Sequence, residues 1–312
     1  IKQKIVELTK AMITLNNITK TYNKGTVTAV NNISFEVKEG ELFGLIGPDG
    51  AGKSTIFRIL TTLLLGDSGT ASVNKHDVVK DYKKIRNEVG YMPGRFSLYQ
   101  DLSVEENLEF FATVFDTTIE ENYSLIKDIY EQIAPFKNRR AGKLSGGMKQ
   151  KLALCCALIH KPVVLFLDEP TTGVDSVSRK EFWDMLKSLK KQGITILVST
   201  PYMDEADLCD RIALMQKGNI LSIDTPKNII ASFPFKLYAV KTTKTFKALN
   251  ELRSYPKTNT CFAFGDSIHI SFKEIVTEKE VTEYLQSHDI TDAVVEEIAP
   301  SIEDCFIQLL KD

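Results

Sequence analysis

Residues Gly44–Thr55 read GLIGPDGAGKST, and the fold turns on what surrounds this glycine-rich run. Ahead of it, LFGLI (Leu42–Ile46) is short, apolar and β-like. Behind it, IFRILTTLLL (Ile56–Leu65) has helical character. Gly47, Gly52, Lys53 and Ser54 fit G-x-x-x-x-G-K-[ST], a pattern made specific by this strand–loop–helix setting. Glycines let successive N–H groups converge on phosphate oxygens, and the helix N-terminus adds positive potential. The expected cradle comprises Gly47, Pro48, Asp49, Gly50, Ala51, Gly52, Lys53, Ser54 and Thr55. Within it Lys53 supplies a point charge to the outer phosphates, and the Ser54 hydroxyl is a ligand for Mg²⁺.

A second run, VVLFLDEP (Val163–Pro170), is apolar without alternation, as expected of a central parallel strand covered on both faces. It delivers Asp168 and Glu169 to its C-terminal end, where ligands sit in open α/β sheets. The first carboxylate is suited to holding Mg²⁺ through water, the next to accepting a proton from an attacking water. ITLNNIT (Ile13–Thr19), NNISFEV (Asn31–Val37) and TILVST (Thr195–Thr200) read as further strands. In RKEFWDMLKSLKKQG (Arg179–Gly193), Phe182, Met185, Leu186 and Leu189 recur at helical spacing and Gly193 offers a C-cap. The pattern predicts a mainly parallel α/β layer.

Beyond Pro234 the grammar changes. FKLYAVKT reads as a strand, FKALNELRSY as a helix, and TCFAFGDSIHISF as two strands turned at Gly265–Asp266. TEKEVTEYLQSH resumes helical spacing and DAVVEEIA is a final strand. That βαββαβ order is ferredoxin-like. A closing helix starts at Ser301, where SIED resembles a capping box with Asp304 in the reciprocal position. The predicted division is an N-terminal extension at 1–11, a phosphate-binding α/β domain at 12–233 and a small α+β domain at 234–312.

Composition narrows the rest. The chain has 312 residues with 39 basic against 41 acidic, a balance that gives no footprint for nucleic acid. Its five cysteines (Cys155, Cys156, Cys209, Cys261, Cys305) lack metal-ligand spacing and read as core thiols of a reducing compartment. No apolar stretch approaches the roughly 20 residues that cross a bilayer, and no leader is visible. The first residue is Ile1, and Met12 is the expected start of the folded unit. His160 ends an apolar helical run, where partial charge near a helix C-terminus suffices as its role. His269 and His288 read as isolated, packed or solvated side chains.

Between the two phosphate motifs lies LSGGMKQKLALCCALIH (Leu144–His160). Ser145 is placed to cap a helix, and Gly146 and Gly147 permit close backbone approach. With this third motif the chain resembles the nucleotide-binding domain of ATP-binding cassette (ABC) transporters over about 220 residues. It is most similar to the ABC-2 type exporters of drugs and polysaccharides. The resemblance implies a P-loop ABC ATPase domain, with a mixed sheet and a helical subdomain, that binds ATP and Mg²⁺. Tyr22 in KTYNKG matches the aromatic that stacks on adenine, and Asp175 in TTGVDSVSR matches a loop that touches a partner cassette. YMPGRFSLYQDLSVEENLEF (Tyr91–Phe110) matches the stretch that meets the membrane subunit. In this family two cassettes, alike or different, sandwich ATP between one chain's phosphate loop and the other's signature, here Ser145–Gly147. Integral membrane permeases complete the transporter, so the implied location is peripheral, on the cytoplasmic side of the membrane. Some members carry a C-terminal domain ending in an EDxF helix, as Glu303–Phe306 does here.

The chain departs from the family pattern at two positions. Pro201 stands where histidine usually donates to the γ-phosphate, and Gly94 where glutamine usually reaches the metal and the lytic water. Proline has neither a side-chain donor nor an N–H, and glycine has no side chain. Binding near normal strength with slow turnover is the expectation; Ser199, Thr200, Tyr202 or ordered water are the candidates to replace the missing contacts. A non-transporting ABC ATPase and a nucleotide-gated assembly module are the alternatives.

Overall fold

The computed structural model describes residues 10–95 and 97–311, and the chain divides between Thr225 and Pro226 into two units. Most of the expected extension, residues 1–9, lies outside the described residues, and the first strand opens at Ala11. The division falls ahead of Pro234, so the short helix Pro226–Ala231 belongs to the second unit.

In the first unit β1 (Ala11–Tyr22) and β2 (Val27–Lys38) precede β3 (Leu42–Ile46), which leads through the glycine-rich loop into helix α1 (Lys53–Leu60). Next come β4 (Ser68–Val73), β5 (His76–Asp77), α2 (Tyr82–Glu88) and β6 (Val89–Met92). A helical stretch holds α3 (Val104–Val114), α4 (Ile119–Tyr130) and α5 (Gly146–Leu158). Then β7 (Val164–Asp168), α6 (Ser176–Lys191), β8 (Thr195–Thr200), β9 (Arg211–Gln216) and β10 (Asn219–Asp224) complete the unit.

Two sheets result. One is antiparallel in the order β2-β1-β4-β5, the other six-stranded in the order β10-β9-β3-β8-β7-β6. The latter is parallel from β9 to β6, with β10 antiparallel at its edge. All residues of β3, β7 and β8 are buried, which explains their unbroken apolar runs. Phe57 of α1 meets Phe166 of β7 edge to face, ring centroids 6.1 Å apart. This contact seats the helix that carries Lys53 against the strand that ends in Asp168.

Helix α1 stops at Leu60 instead of running through Leu65. Thr62 turns left-handed (φ 64°), and the N–H groups of Leu63 and Leu64 fold back onto the Arg58 carbonyl at 2.8 and 3.0 Å. Adjacent β-branched residues weaken the helix here. Gly193 ends the next predicted helix as expected, at φ 92°. A backbone turn also joins the two sheets: the N–H of Gly218, between β9 and β10, donates to the Ala51 carbonyl (3.0 Å). Its own carbonyl accepts from Asn31 N–H in β2 (2.8 Å).

The second unit contains α7 (Pro226–Ala231), β11 (Leu237–Lys241), α8 (Thr245–Ser254), β12 (Thr258–Phe264) and β13 (Ser267–Phe272). It continues with α9 (Glu278–Ser287), β14 (Val294–Ile298) and α10 (Ile302–Leu309). The sheet order β12-β13-β11-β14, antiparallel throughout, gives the ferredoxin-like arrangement. Ser301 and Asp304 form the predicted capping box. His269 is not isolated: its Nδ1 lies 2.8 Å from Asp304 Oδ1, and its ring stacks on Phe264. A capping carboxylate needs only one oxygen for the helix, so the other is open to the neighbouring strand. His288 likewise has partners, its Nδ1 lying 2.8 Å from the Tyr284 carbonyl.

The five cysteines are free and buried, and burial pushes the thiols of Cys155, Cys156 and Cys209 well up. Among the described residues no helix is long and apolar enough to cross a membrane.

Candidate functional site

The carboxyl ends of β3, β8, β7 and β6 stand side by side in the six-stranded sheet. They deliver, in that spatial order, the glycine-rich loop, Ser199–Pro201, Asp168–Glu169 and Pro93–Gly94. Residues far apart in sequence therefore meet at one sheet edge, the usual position for ligands of open α/β sheets.

The cradle is built by the β3–α1 turn. Gly52 precedes α1 at φ 105°, and a Cβ there would lie 2.2 Å from the Ala29 carbonyl oxygen, so only glycine fits. Gly47 N–H donates to the Thr200 carbonyl (3.3 Å) and Ala51 N–H to that of Pro48 (3.2 Å), fixing the loop to β8 and to itself. Lys53 is 3% exposed. Its ammonium donates to the carbonyls of Gly47 (2.7 Å) and Pro48 (3.1 Å) and lies 3.2 Å from Glu169 Oε1. An incoming phosphate oxygen has to compete with these acceptors for the same hydrogens. Tyr22, at the end of β1, brings its hydroxyl to 3.5 Å from Thr55 Oγ1, which places an aromatic ring beside the cradle.

Asp168 is 4% exposed and makes no ion pair among the described residues. Ser199 Oγ donates to its Oδ1 at 2.6 Å. Glu169, left-handed at φ 52°, donates its N–H to both Ser199 Oγ (3.0 Å) and the Ser199 carbonyl (3.1 Å). Tyr91 stands nearby: burial first, and then the Asp168 charge, push its phenol up to about 12. The donor set of Ser54 hydroxyl and Asp168 carboxylate is hard oxygen, the chemistry Mg²⁺ takes. A buried carboxylate without a cationic partner fits such an ion. The described residues hold no group of three or more His, Cys, Asp or Glu suited to a metal, so this ion would draw its other ligands from phosphate and water.

Gly94 and Pro201 flank these groups. A Cβ on Gly94 would lie 3.1 Å from the Asp168 carbonyl oxygen, so the main chain itself has come close to the carboxylate strand. The candidate substitutes for the missing donors have other partners. Ser199 is engaged by Asp168, Thr200 Oγ1 accepts from Tyr202 N–H (3.1 Å), and the Arg179 guanidinium covers the Tyr202 ring at 4.9 Å.

Ser145–Gly147 lie apart from this edge and make no hydrogen bond to the cradle among the described residues. Ser145 caps α5, accepting from Met148 N–H (3.4 Å). A Cβ on Gly147 would lie 2.6 Å from Ser178 Oγ, so α5 begins pressed against α6. Asp175 caps α6 by accepting from the N–H groups of Val177 and Ser178. The signature and the Asp175 loop thus form one surface. His160 departs from expectation: its burial pulls the imidazole pKa down, while Nε2 faces the Val89 carbonyl (3.1 Å) and the ring stacks on Phe115. It is a neutral packing residue. Phe96, within the Tyr91–Phe110 stretch, lies outside the described residues.

Sequence reasoning gave Ser199 only as a stand-in for histidine. Its register opposite Asp168 is a property of strand order, which local sequence does not reveal. The buried hydrogen bond from Thr171 Oγ1 to Glu205 Oε1 (2.9 Å) was also missed. It ties the loop after β7 to the segment after Pro201.

The family described as ABC transporter matches residues 30–172. The probable multidrug ABC transporter ATP-binding protein YbhF of Escherichia coli K12 is 37% identical over 304 residues, covering 96% of this chain and 52% of YbhF. The chain thus spans about half the length of that relative. The linearmycin resistance ATP-binding protein LnrL of Bacillus subtilis is 32% identical over 310 residues, covering 96% of this chain and 98% of LnrL. Among solved structures, the dimeric, post-hydrolysis ATP-binding cassette MJ0796 bound to ADP and Pi superposes with a TM-score of 0.62 at 28% identity. It covers 69% of this chain and 98% of its own. With 32% identity to a relative that the chain covers to 98%, and the family match at residues 30–172 in its first unit, the chain belongs to the ABC transporter family, its first unit being the ATPase domain of that family.

Proposed function

We propose that the chain is the ATP-binding subunit of an ABC-2 type exporter resembling those of drugs and polysaccharides. In this reading, ATP binding and hydrolysis in a cassette dimer drive export through separate membrane subunits, and the subunit sits on the cytoplasmic face of the membrane. The observation that carries it is the meeting of Lys53, Asp168, Ser199 and Glu169 at adjacent strand ends. Lys53 and the loop amides bind and orient the triphosphate. Ser54 and Asp168 would hold Mg²⁺, which would supply charge neutralisation on the phosphates. Glu169, partly exposed beside the cradle, accepts the proton of the attacking water.

A groove of about 440 Å³ supports a membrane partner. Met92, Pro93, Phe111, Phe115, Ala157 and His160 line it, and it lies in the stretch whose family resemblance is to permease contact. The exposed Ser145–Gly146 edge supports a second cassette that donates or receives a signature. The pairing of Gly94 and Pro201 with an intact signature favours an asymmetric dimer, in which Ser145–Gly147 serves a site held by a fuller partner. Introducing Ser145→Arg into a reconstituted pair tests this: turnover is expected to collapse, and unchanged turnover overturns the role.

A second reading follows from Gly94 and from the engaged hydroxyls of Ser199 and Thr200. Here the chain is an ATP-gated assembly subunit that binds nucleotide and turns it over slowly. ATP-dependent dimerisation without comparable single-turnover hydrolysis favours this reading; matched rates favour the first.

A further inference from the structure

Ser199 is fully buried in β8, directly after Ile196, Leu197 and Val198, which are fully buried and apolar. A hydroxyl in such a place costs free energy unless its hydrogen-bonding capacity is used. Here both roles are used, and in a fixed direction. The oxygen accepts from Glu169 N–H (3.0 Å), so its single hydrogen goes to Asp168 Oδ1 (2.6 Å). The hydroxyl thereby pins one carboxylate oxygen. Among the described residues no donor reaches Asp168 Oδ2, which is left as the oxygen available to a cation. The register pairing of Asp168 with Ser199 makes the arrangement part of the sheet.

We propose that Ser199 is a positioning residue for the metal-bearing carboxylate: it orients Asp168 so that Mg²⁺ meets a preset oxygen. This rests on the reading of the strand-end site as a Mg²⁺–nucleotide site. Residues that orient metal ligands without touching the metal typically contribute 10–100-fold in metal affinity. A merely structural role predicts something else, a loss of stability with no change in metal dependence.

The two are separable because the ladder survives loss of the hydroxyl. Glu169 N–H also donates to the backbone carbonyl of residue 199 (3.1 Å), so Ser199→Ala keeps that bond. The experiment is thermal denaturation of the full chain with ATP, first in EDTA and then across a MgCl₂ titration. In Ser199→Ala, the Mg²⁺ concentration giving half-maximal ATP stabilisation is expected to rise about tenfold, while stabilisation by ATP in EDTA stays within about twofold. Ser199→Cys, which fills the space with a weak donor, is expected to give the same shift, and Ser199→Thr to restore the wild-type midpoint. A midpoint within about twofold of wild type in both Ser199→Ala and Ser199→Cys overturns the proposal, as does an equal weakening with and without metal. If the wild-type protein itself shows no Mg²⁺-dependent ATP stabilisation, the site reading falls and this inference falls with it.

Discussion

Around Asp168, groups from neighbouring strands interlock: the Ser199 hydroxyl donates to it, the main-chain N–H of Glu169 donates to Ser199, and Lys53 lies against the Glu169 carboxylate. A few ångströms along the same sheet edge, Gly94 and Pro201 bring no donor, and the main chain at Gly94 closes in on the Asp168 carbonyl instead. The bare half follows β8, buried throughout, and β6, buried but for Tyr91, so the difference is one of chemistry. In the reading proposed above, gripping a nucleotide and hydrolysing it draw on separable residues of one site, the first set complete and the second thin.

The largest expected effect breaks the furnished half. Lys53→Met removes an ammonium whose bonds to charged groups are worth about 1.5–3 kcal/mol, so Mg²⁺–ATP affinity should fall on the order of 10–100-fold in a calorimetric titration. An unchanged affinity would mean the cradle does not hold phosphate. Refurnishing the bare half comes next. A positioned donor to a developing charge is worth about 10²–10³ in rate, discounted because grouped residues are not additive. Pro201→His is therefore expected to raise single-turnover hydrolysis at least about tenfold. Gly94→Gln alone should change it far less, because a Cβ at 3.1 Å from the Asp168 carbonyl oxygen makes the main chain give by a few tenths of an ångström next to the carboxylate that the amide would serve. A larger gain from Gly94→Gln than from Pro201→His would reverse that ranking. The smallest effect asks whether the bare half is truly bare. Thr200→Val should cost about 1 kcal/mol of stability through the lost bond to Tyr202 N–H, read as a lower melting temperature. Turnover should stay within about threefold; a steeper drop would identify the Thr200 hydroxyl as a hidden participant.

The same contrast governs how much could be read in advance. The positions of Lys53 and Ser54 after β3, and of Asp168 and Glu169 at the end of β7, were legible because each pair belongs to one contiguous strand-and-turn run. The runs Leu42–Ile46 and Thr195–Thr200 form β3 and β8 with those bounds, since full burial leaves an unbroken apolar signature. Ser199 was not legible in its actual role. Its partner is set by β8 lying between β3 and β7, a long-range fact. The end of α1 was missed because Thr61–Thr62 sits in an otherwise leucine-rich run whose apolarity masks a weak helix former. His160 and His269 were misjudged for a common reason: the groups that face them, Val89 and Asp304, come from distant elements. The boundary at Thr225 was placed late because Pro226–Ala231 is too short a helix to announce which unit it joins.

The turn at Gly218 carries a consequence of its own. It reaches Ala51 and Asn31 through its own amide and carbonyl groups, and at φ 79° a Cβ on Gly218 would lie 3.0 Å from the Ala29 carbonyl oxygen, so Gly218→Ala would strain this connection between the cradle and the antiparallel sheet. Replacing the side chains of Ala51 or Asn31 would leave its main-chain bonds in place. Amide exchange would register it, as slower deuterium uptake at Asn31 and Gly218 whenever nucleotide stiffens the loop.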